Sequence, residues 1–528
     1  MNKLIFIIIT LHLFNVIVLA QYEDDGERGK YFSKIKYTQT PLPEFEKSKH
    51  LLPSPILKTN PEYVDLYWRA WELAFQHYKK PPIGSPFVSN FIDEAFSQSI
   101  FQWDTIFMIM FARYADHIFP AIQSLDNFYC RQHENGYICR EIIESDGSDY
   151  IFLDRKHTIN PPLFSWAEVE SYRITGDTSR FKSVLPVLEK YAEWLELHRK
   201  KTNTVHGLYW QTGLGSGMDN TPRDGSGWVD MSSQVVMQYR DIAFICKELG
   251  LKDKEELFLA KAKLVSENIN KYMWNEEDGL YYDVDDSGNQ VKCKSVAAFW
   301  PMLAGVSNTN QNERLLDNLK DPHSFWRTVP FPSLAADHKE FKAAGQYWLG
   351  AVWAPTNVMI IKGLDKVGED ENYENPNFYK NPEVFNEFAK LASAKYLDAI
   401  YSVLKQTGTI WENYSSEVYT RGIPSAPDFV GWSGCGPIQL LIENVLGFRP
   451  DGANNTLNFH LTRIDEHGIN NLHFGDVTTS ILCKERKSIK EKTIIEVKSD
   501  KSYKLVVKSY NGKRIFEIKN DVQNIKME

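Results

Sequence analysis

The sequence predicts a mainly α protein, with a large helical domain at residues 61–447 and a small antiparallel β-sandwich domain at residues 448–528. Apolar residues recur at helical spacing through the first region, as they do at Val184, Leu188 and Tyr191. Beyond residue 447, segments such as TLNFHLTR and YKLVVKS alternate apolar with polar residues and are separated by turn-forming residues. The change in period predicts the change in architecture.

The first sixty residues are predicted to lie outside both domains. Residues 1–20 combine Lys3, a long apolar run and a small residue at Ala20, which is typical of a secretory signal peptide. We therefore expect cleavage after Ala20, export to the periplasm or the extracellular space, and no stable membrane insertion afterwards. An uncleaved anchor is the alternative, because the apolar run approaches the length of a spanning helix. Residues 21–60, rich in charge, Pro and Lys, predict an extended arm.

The helical domain is predicted to consist of amphipathic helices joined by loops that carry Gly, Pro, Trp and Asn. A closed double ring of helices is favoured over a solenoid, because no repeat of fixed period is visible. Such a ring would bring the Trp-rich loops to one face. Helices are expected near residues 62–79, 103–114, 119–131, 163–174, 181–198, 232–250, 255–273, 294–304, 349–363, 384–406 and 437–446, and a β-hairpin at 273–288.

The composition limits the partners and cofactors. The formal net charge of −9 is spread along the chain, so no nucleic-acid partner is predicted. No CxxC pair or His cluster has the spacing of a metal site and no cofactor is predicted, although Ca²⁺ binding by scattered carboxylates stays open. Cys130 and Cys139 are close enough to pair across a short loop, and buried free thiols are the alternative.

The first candidate site is the loop TGLGSGMDNTPRDGSGW, residues 212–228. Its glycines give the backbone unusual freedom around Asp219 and Asp224. On composition alone, the loop is compatible with a mobile surface turn in which Asp219 and Asn220 form an Asx turn. Asp230, just beyond it, is predicted to be the N-cap of the next helix.

The second candidate is Glu412, which lies between Trp411 and Tyr414 in TIWENYSSEVY. Aromatic neighbours desolvate a carboxylate and raise its pKa. The plain alternative is a glutamate at the edge of the core. Glu417 and Asp428 are weaker substitutes.

Two aromatic segments complete the set of candidate residues. Asp104 follows Trp103 at the start of an apolar helix, where a role as N-cap is the alternative. Tyr347, Trp348 and Trp353 lie in GQYWLGAVWAPTN, and such a cluster either belongs to the core or stacks on sugar rings. Two well-separated carboxylates with aromatic platforms are what a glycosidase needs. The sequence has no GxSxG nucleophile elbow, P-loop or HExxH motif that would indicate a competing chemistry.

In their order along the chain, the blocks WDTIF, QHENGYICRE, NPPLFSWAE, SGMDNTPR, YWLGAVW, WENY and GWSGCGPIQLLIE resemble glycoside hydrolase family 63 and its mannosylglycerate-hydrolase-like relatives. A more distant likeness is to the family 37 trehalases. The resemblance covers about residues 60–447. It implies an α/α six-hairpin toroid, the (α/α)6 barrel, and an O-glycosyl hydrolase of the α-glucosidase or mannosidase type that inverts the anomeric carbon of an oligosaccharide or another glycoside.

The resemblance also implies roles for individual residues. Asp219 would be the general acid and Glu412 the general base, and an inverting pair should stand roughly 6.5–9.5 Å apart. The glycines around Asp219 would bring backbone close to the bound sugar. The residues implied to line the sugar pocket are Trp103, Asp104, Gln132, Arg140, Glu141, Asn220, Arg223, Tyr347, Trp348, Trp353, Tyr414 and Trp432.

One departure from the family pattern concerns the leaving group. Many relatives carry Arg between the Trp and Gly of YWxGxVW, often with Pro after the Gly, whereas this chain has Leu349 and Ala351. The difference counts against mannosylglycerate as the substrate. A phosphorylase or lyase on the same toroid is one alternative, and the presence of Glu412 counts against it. A catalytically silent carbohydrate-binding protein is the other, and the retention of both carboxylates counts against it.

Overall fold

The computed structural model of the chain describes residues 26–34, 36–94, 96–370, 382–428 and 431–527. The predicted signal peptide lies outside these ranges. No helix within them is long and apolar enough to cross a bilayer. The predicted arm is only partly extended where it is described, because it contains the short helix Phe45–Ser48 and the strand Ser54–Leu57.

Helices dominate the chain up to residue 446, as the periodicity predicts. The α-helices are Phe45–Ser48, Pro61–Gln76, Gln102–Ala112, Asp126–Tyr129, Phe164–Thr175, Ser179–His198, Gly213–Ser216, Val229–Glu248, Lys252–Tyr272, Trp300–Ala304, Thr309–Lys320, Ala354–Gly368 and Glu383–Thr407, and a π-helix spans Gly436–Leu446. The 3-10 turns are Lys49–Leu51, Arg113–Ala115, Ala121–Leu125, Arg155–His157, Val296–Phe299, Trp432–Cys435 and Gly452–Asn454.

Two segments differ from the prediction. The helix Thr309–Lys320 was not predicted, because TNQNERLLDNLK is polar apart from three leucines. It forms because Asn308 and Gln311 make a capping box at its start, while the leucines face the core. The segment predicted as a helix at 119–131 is instead a 3-10 turn, Ala121–Leu125, followed by a single helical turn.

The helices form an inner and an outer layer. Every residue of Gln102–Ala112 and of Gly436–Leu446 is buried, so these helices are surrounded by protein on all sides. In contrast, Lys252–Tyr272 buries only the stripe formed by Phe258, Ala262, Val265, Ser266 and Ile269. Its remaining surface is rich in Lys and Glu and faces solvent.

The helical array closes on itself. Pro61–Gln76, near the start of the chain, contacts both Glu383–Thr407 and Gly436–Leu446. The Tyr63 hydroxyl donates a hydrogen bond to the Asp398 carboxylate at 2.6 Å across this junction. The closure agrees with the predicted ring and excludes an open solenoid for the described residues.

The amino-terminal ends of several inner helices lie at one end of the ring. Trp103 and Trp300, each near the start of its helix, have ring centroids 6.4 Å apart. Trp353 and Trp432, which precede two other inner helices, are 5.7 Å apart. Helix amino termini carry partial positive charge, so this end favours negatively charged groups.

Short strands lie within the loops of the helical region, and longer strands follow residue 447. The short strands are Tyr78–Lys79, Phe91–Ile92, Ser99–Phe101, Glu141–Ile143, Trp274–Asn275, Leu280–Tyr281, Asp283–Val284, Gln290–Val291, Val352–Trp353 and Asn413–Tyr414. The later strands are Phe448–Asp451, Thr456–Leu461, His467–Phe474, Val477–Cys483, Ile494–Ser499, Tyr503–Ser509, Gly512–Ile518 and Val522–Lys526. The hairpin predicted at 273–288 is present as Trp274–Asn275 paired with Leu280–Tyr281.

The later strands form two sheets that face each other. Thr479 and Tyr503, which belong to different sheets, hydrogen-bond through their hydroxyl groups at 3.0 Å. Two details differ from a purely C-terminal antiparallel sandwich. Thr456–Leu461 pairs in parallel with Tyr503–Ser509, and Ser54–Leu57 from the predicted arm adds an edge strand to the other sheet.

Of the two alternatives for Cys130 and Cys139, the structure has free thiols and not the disulfide. All six cysteines lie in the described ranges and all are free, including Cys130 and Cys139. Cys139 is buried and Cys130 partly buried, and burial raises the pKa of both thiols to about 12.

Candidate active site

The loop that carries Asp219 is folded tightly on itself. It begins with the short helix Gly213–Ser216 and turns at Gly217, whose φ is 76°. A Cβ atom at Gly213 would lie 2.4 Å from the Asp219 carbonyl oxygen, and one at Gly217 would lie 3.2 Å from the Trp103 indole. The glycines therefore let the backbone pack against itself and against Trp103, a role other than the predicted close approach to a sugar.

The Asp219 carboxylate is half-buried and held by two neighbours. The Tyr347 hydroxyl donates a hydrogen bond to it, and the Arg140 guanidinium lies within electrostatic reach. Burial nevertheless raises the pKa of Asp219 to about 6, because desolvation outweighs these two stabilising groups. Such a carboxyl keeps a proton close to neutral pH, which a general acid requires.

The residues after Asp219 fasten its loop to the GQYWLGAVW segment. Asn220 Oδ1 accepts a hydrogen bond from Trp348 N at 2.8 Å, and Asn220 Nδ2 donates to the Gln346 carbonyl at 3.0 Å. Thr221 Oγ1 donates to the Trp348 carbonyl at 3.3 Å. Asn220 thus bridges two loops, so the Asx turn is not needed to explain the MDNT motif.

Arg223 anchors the far end of the same loop and is not a pocket residue. Its guanidinium bonds both oxygens of Asp230, at 2.6 and 2.8 Å, and both oxygens of Asp283, at 2.9 Å. Its side chain is 1% exposed, and these two carboxylates already engage its guanidinium. Asp230 is not the predicted N-cap either. It lies in the first turn of Val229–Glu248, whose N-cap is Trp228.

Replacing Arg223 with Met is expected to lower the free energy of unfolding by about 3–5 kcal/mol, because two buried carboxylates lose their counter-ion. Urea denaturation measures the change. The matched control is Arg314→Met, which removes a partly exposed guanidinium that lies 3.8 Å from Glu276 and donates to the Glu277 carbonyl, and it should cost about 1 kcal/mol. Equal effects for the two variants would contradict the anchoring role of Arg223.

Glu412 is positioned by its own backbone and by the loop that follows it. Glu412 N donates to the Ala426 carbonyl, and Ala426 N donates to Glu412 Oε2, both at 3.0 Å. Trp432 Nε1 donates to the Glu412 carbonyl at 3.0 Å. Burial raises the pKa of Glu412 to about 7, and the charge of Asp219 adds to the rise. The two carboxyl groups therefore lie within electrostatic reach of each other.

Trp103 and Asp104 lie beside this pair. Both belong to the first turn of Gln102–Ala112, and because Phe101 is the N-cap, Asp104 does not cap the helix. Asp104 is buried, and its Oδ1 receives no hydrogen bond from the described residues. Burial and the nearby carboxylates, Glu412 first among them, raise the pKa of Asp104 well above its usual range.

Arg140 and Glu141 approach the Asp219 loop from a neighbouring strand. Arg140 Nη1 donates to the Leu214 carbonyl at 3.0 Å, and Arg140 Nη2 lies 3.7 Å from Glu141 Oε2. Burial raises the pKa of Glu141 to about 7. Arg140 is thus a cation beside Asp219, and Glu141 is in turn close to Arg140.

The predicted aromatic platforms differ in how open they are. Trp348 and Trp353 are buried and stack on each other, with ring centroids 4.1 Å apart and planes 6° from parallel. Trp432 packs edge-on against Trp353 at 5.7 Å. Tyr347 is half-buried and adopts a φ of 70°, a left-handed conformation that turns its hydroxyl towards Asp219. The tryptophans form a wall, and Tyr347 reaches the carboxylate.

Two further predicted pocket residues serve the fold instead of a ligand. Gln132 Nε2 donates to the carbonyls of Gly136 and Val187, both at 3.0 Å, and the side chain is fully buried. The Tyr414 hydroxyl accepts a hydrogen bond from Trp411 N at 3.1 Å and is also buried. Their motifs flank the site, but both side chains hydrogen-bond to backbone groups.

The weaker substitutes for Glu412 are engaged elsewhere. Glu417 Oε2 pairs with Arg327 Nη2 at 2.7 Å. Asp428 Oδ1 accepts a hydrogen bond from the Thr409 hydroxyl. Both pairings are local contacts of the loop and leave Glu412 as the base candidate.

Glu94 is an acidic residue near the site that was not among the predicted site residues. It follows the strand Phe91–Ile92 in FIDE, is 2% exposed, and has Asp104 among the groups that act on it. The signal in the sequence was two successive acids after an apolar run, which is common on protein surfaces. Among the described residues, no group of three or more His, Cys, Asp or Glu side chains is arranged to hold a metal ion.

Residues 100–417 match the family model described as the mannosylglycerate hydrolase MGH1-like glycoside hydrolase domain. The match spans the blocks that carry Asp104, Asp219 and Glu412. It confirms the resemblance that those blocks predict.

Two curated relatives and one solved structure illustrate the similarity. A Borreliella burgdorferi protein is 28% identical over 421 residues, which cover 76% of this chain and 83% of that protein. The probable mannosyl-oligosaccharide glucosidase of Schizosaccharomyces pombe is 23% identical over 291 residues, covering 50% of this chain and only 34% of that protein. The GH63 mannosylglycerate hydrolase of Thermus thermophilus, solved with glucose, has a TM-score of 0.54 at 16% identity, covering 71% of this chain and 99% of that chain. The last comparison concerns the fold alone, and the helix-rich ring fits the (α/α)6 toroid.

Proposed function

This chain belongs to the MGH1-like glycoside hydrolases, and we propose that it is an exported enzyme that hydrolyses an α-linked glycosidic bond with inversion. Asp219 protonates the leaving oxygen, and Glu412 removes a proton from the attacking water. The observation that carries the proposal is the pairing of these two half-buried carboxyls, both with raised pKa values. Asn220 joins the Asp219 loop to Trp348, and the adjacent strand Val352–Trp353 pairs with Asn413–Tyr414, next to Glu412.

The neighbouring groups fit these roles. The Tyr347 hydroxyl orients the Asp219 carboxyl by a hydrogen bond, and Arg140 stabilises the carboxylate that remains after proton transfer. Ala426 N fixes one oxygen of Glu412 at 3.0 Å, which leaves the other oxygen for water. We propose an uncharged leaving group, because Leu349 supplies no cation where many relatives have Arg.

The proposal is tested by incubating the purified protein with α-linked disaccharides and chromogenic α-glycosides. We expect release of reducing sugar from at least one substrate. Release of a sugar phosphate only in phosphate buffer would replace hydrolysis by phosphorolysis. Binding of a glycan without release of sugar would replace the enzyme by a carbohydrate-binding protein.

The pH dependence of kcat/KM should be bell-shaped, with its maximum between the two raised pKa values, about 6 for Asp219 and about 7 for Glu412. Activity requires one proton on the pair, held by Asp219 and absent from Glu412. Because Glu412 has the higher pKa, this is the minority one-proton form, and its population still peaks between the two pKa values. Rates should fall below pH 6, where both groups are protonated, and above pH 7, where both are ionised. Initial rates in buffers of constant ionic strength measure the profile. A flat profile across this range would contradict the assignment.

Export is tested by sequencing the amino terminus of the protein from cells that produce the full chain. We expect the periplasmic or extracellular fraction to hold a chain that begins at Gln21. A chain that retains Met1 in a washed membrane fraction would support the uncleaved anchor. The catalytic proposal is independent of this outcome.

A further inference from the structure

Glu94 is a buried acid without a counter-ion of its own. Its side chain is 2% exposed, and neither carboxyl oxygen accepts a hydrogen bond from an N–H group or a hydroxyl of the described residues. Its segment is rigid: Asp93 N donates to the His77 carbonyl at 3.1 Å, and His77 Nδ1 lies 2.8 Å from the Asp93 carbonyl. The Glu94 carboxyl is therefore held in place chiefly by its backbone.

The groups around Glu94 link it to the proposed catalytic pair. The negative charges of Asp93 and Asp104 raise the pKa of Glu94. The charges of Glu412 and Asp219 in turn raise the pKa of Asp104. Lys79 contacts Asp93, and its Nζ lies 3.1 Å from Glu144. Lys79 is thus the counter-ion of Asp93 and Glu144, and not of Glu94.

Two other buried glutamates contrast with Glu94, since each has an arginine partner. Glu168 pairs with Arg180 at 2.6 Å, and Glu170 pairs with Arg113 at 2.5 Å. Burying a carboxyl group without a hydrogen-bond donor costs stability. The packing of the fold therefore gives no reason for an acid at position 94, whereas a ligand that supplies the missing hydrogen bonds does.

Burial and the charges of Asp93 and Asp104 raise the pKa of Glu94 well above its usual range. Burial thus favours the protonated side chain, which has one O–H donor and one acceptor oxygen. Asp93 lies within hydrogen-bonding reach of that donor, whereas the acceptor oxygen has no hydrogen-bond donor among the described residues. Asp104 Oδ1, also without a hydrogen bond, offers a second acceptor beside it. Adjacent sugar hydroxyls, which both donate and accept, match such a pair.

We propose that Glu94 and Asp104 form one hydroxyl-binding end of the sugar pocket, in which Glu94 binds one hydroxyl and Asp104 binds its neighbour on the same ring. The inference rests on the proposed function, because it takes the sugar to be the one whose bond Asp219 and Glu412 cleave. The ligand is an uncharged pyranose whose two adjacent hydroxyls are unsubstituted. Glu94 is a specificity residue and takes no part in proton transfer to the leaving group.

The test compares wild type with Glu94→Ala and Glu94→Gln on the best substrate of the glycoside screen and on its monodeoxy analogues. Glu94→Ala should lower kcat/KM about 10- to 100-fold on the intact sugar. This factor corresponds to the loss of one hydrogen bond to an acidic group. On one monodeoxy analogue, wild type and Glu94→Ala should be equally slow, because the lost hydroxyl and the lost carboxyl are partners. Glu94→Gln, which keeps a donor and an acceptor, should lie between them.

The matched control is Glu144→Ala, which removes the other acid beside Lys79 and should leave kcat/KM and the selectivity for deoxy sugars unchanged. If Glu94→Ala slows all substrates by the same factor, or none, the inference is overturned while hydrolysis by the wild type leaves the proposed function standing. A large drop in the melting temperature of Glu94→Gln would also overturn it, because the acid would then serve the fold. Absence of any hydrolysis by the wild type would overturn the proposed function itself.

Discussion

Asp219→Asn should lower kcat/KM about 10²–10⁴-fold on glycosides with a poor leaving group, because asparagine cannot protonate the departing oxygen. The loss should be much smaller on dinitrophenyl glycosides, whose leaving group departs as a stable anion and needs no proton. Asparagine keeps the size of the side chain, and the Tyr347 hydroxyl can still hydrogen-bond to its carbonyl oxygen. The fold and substrate binding should therefore be retained.

The control for this variant is Asp224→Asn, an exposed position of the same loop whose carboxylate only accepts a hydrogen bond from Gly225 N at 2.8 Å. It should hydrolyse both kinds of substrate at the wild-type rate. If Asp219→Asn lost the same factor on both kinds of leaving group, Asp219 would not be the proton donor. The remaining candidate near it would be Glu141, whose pKa burial raises to about 7.

Glu412→Gln should lower kcat/KM by a similar factor, about 10²–10⁴-fold, but independently of the leaving group. Activation of the water is lost in this variant, and a better leaving group does not replace the base. Azide, which needs no deprotonation, should restore turnover by attacking the anomeric carbon as the glycosidic bond breaks. The product would be a glycosyl azide of inverted configuration.

The matched control here is Glu417→Gln, in the same loop, which breaks a partly exposed pair with Arg327 and should change the rate little. Rescue of Glu412→Gln by azide with retained configuration would instead indicate two successive displacements through a different nucleophile, with Glu412 as the acid/base of a retaining enzyme. Wild-type turnover by Glu412→Gln would remove it from the mechanism.

The sequence predicted most of the helical architecture because apolar periodicity reports burial directly. It missed Thr309–Lys320, whose three leucines give a weak pattern and whose start depends on a capping box. It also missed the edge strand Ser54–Leu57, because the pairing partner is His467–Phe474, some four hundred residues away. Such long-range pairing leaves no local signal.

For the site, the residues within short motifs were easier to find than their roles. The charge of Asp219 acts on Glu412. In neighbouring blocks, however, Arg223 bonds Asp230 and Asp283, and Gln132 bonds backbone carbonyls. Spacing in a loop does not determine which way a side chain turns. The glycines around Asp219 likewise serve close packing against Trp103, which no composition argument could specify.

Glu94 is a residue whose importance the sequence does not indicate. A glutamate after a short apolar strand looks like a surface residue until its burial and its missing hydrogen bonds are known. The stacked pair Trp348 and Trp353 was likewise ambiguous, since sugar platforms and core walls use the same residues. Three-dimensional contacts decide both cases.

The most direct test of the two-carboxylate mechanism is proton NMR of the first sugar released from an α-linked substrate, recorded before mutarotation. Attack by a water that Glu412 activates, on the face opposite the leaving group, predicts that the β-anomer appears first. First appearance of the α-anomer would mean retention through a covalent intermediate, and it would contradict the assignment of Glu412 as a general base.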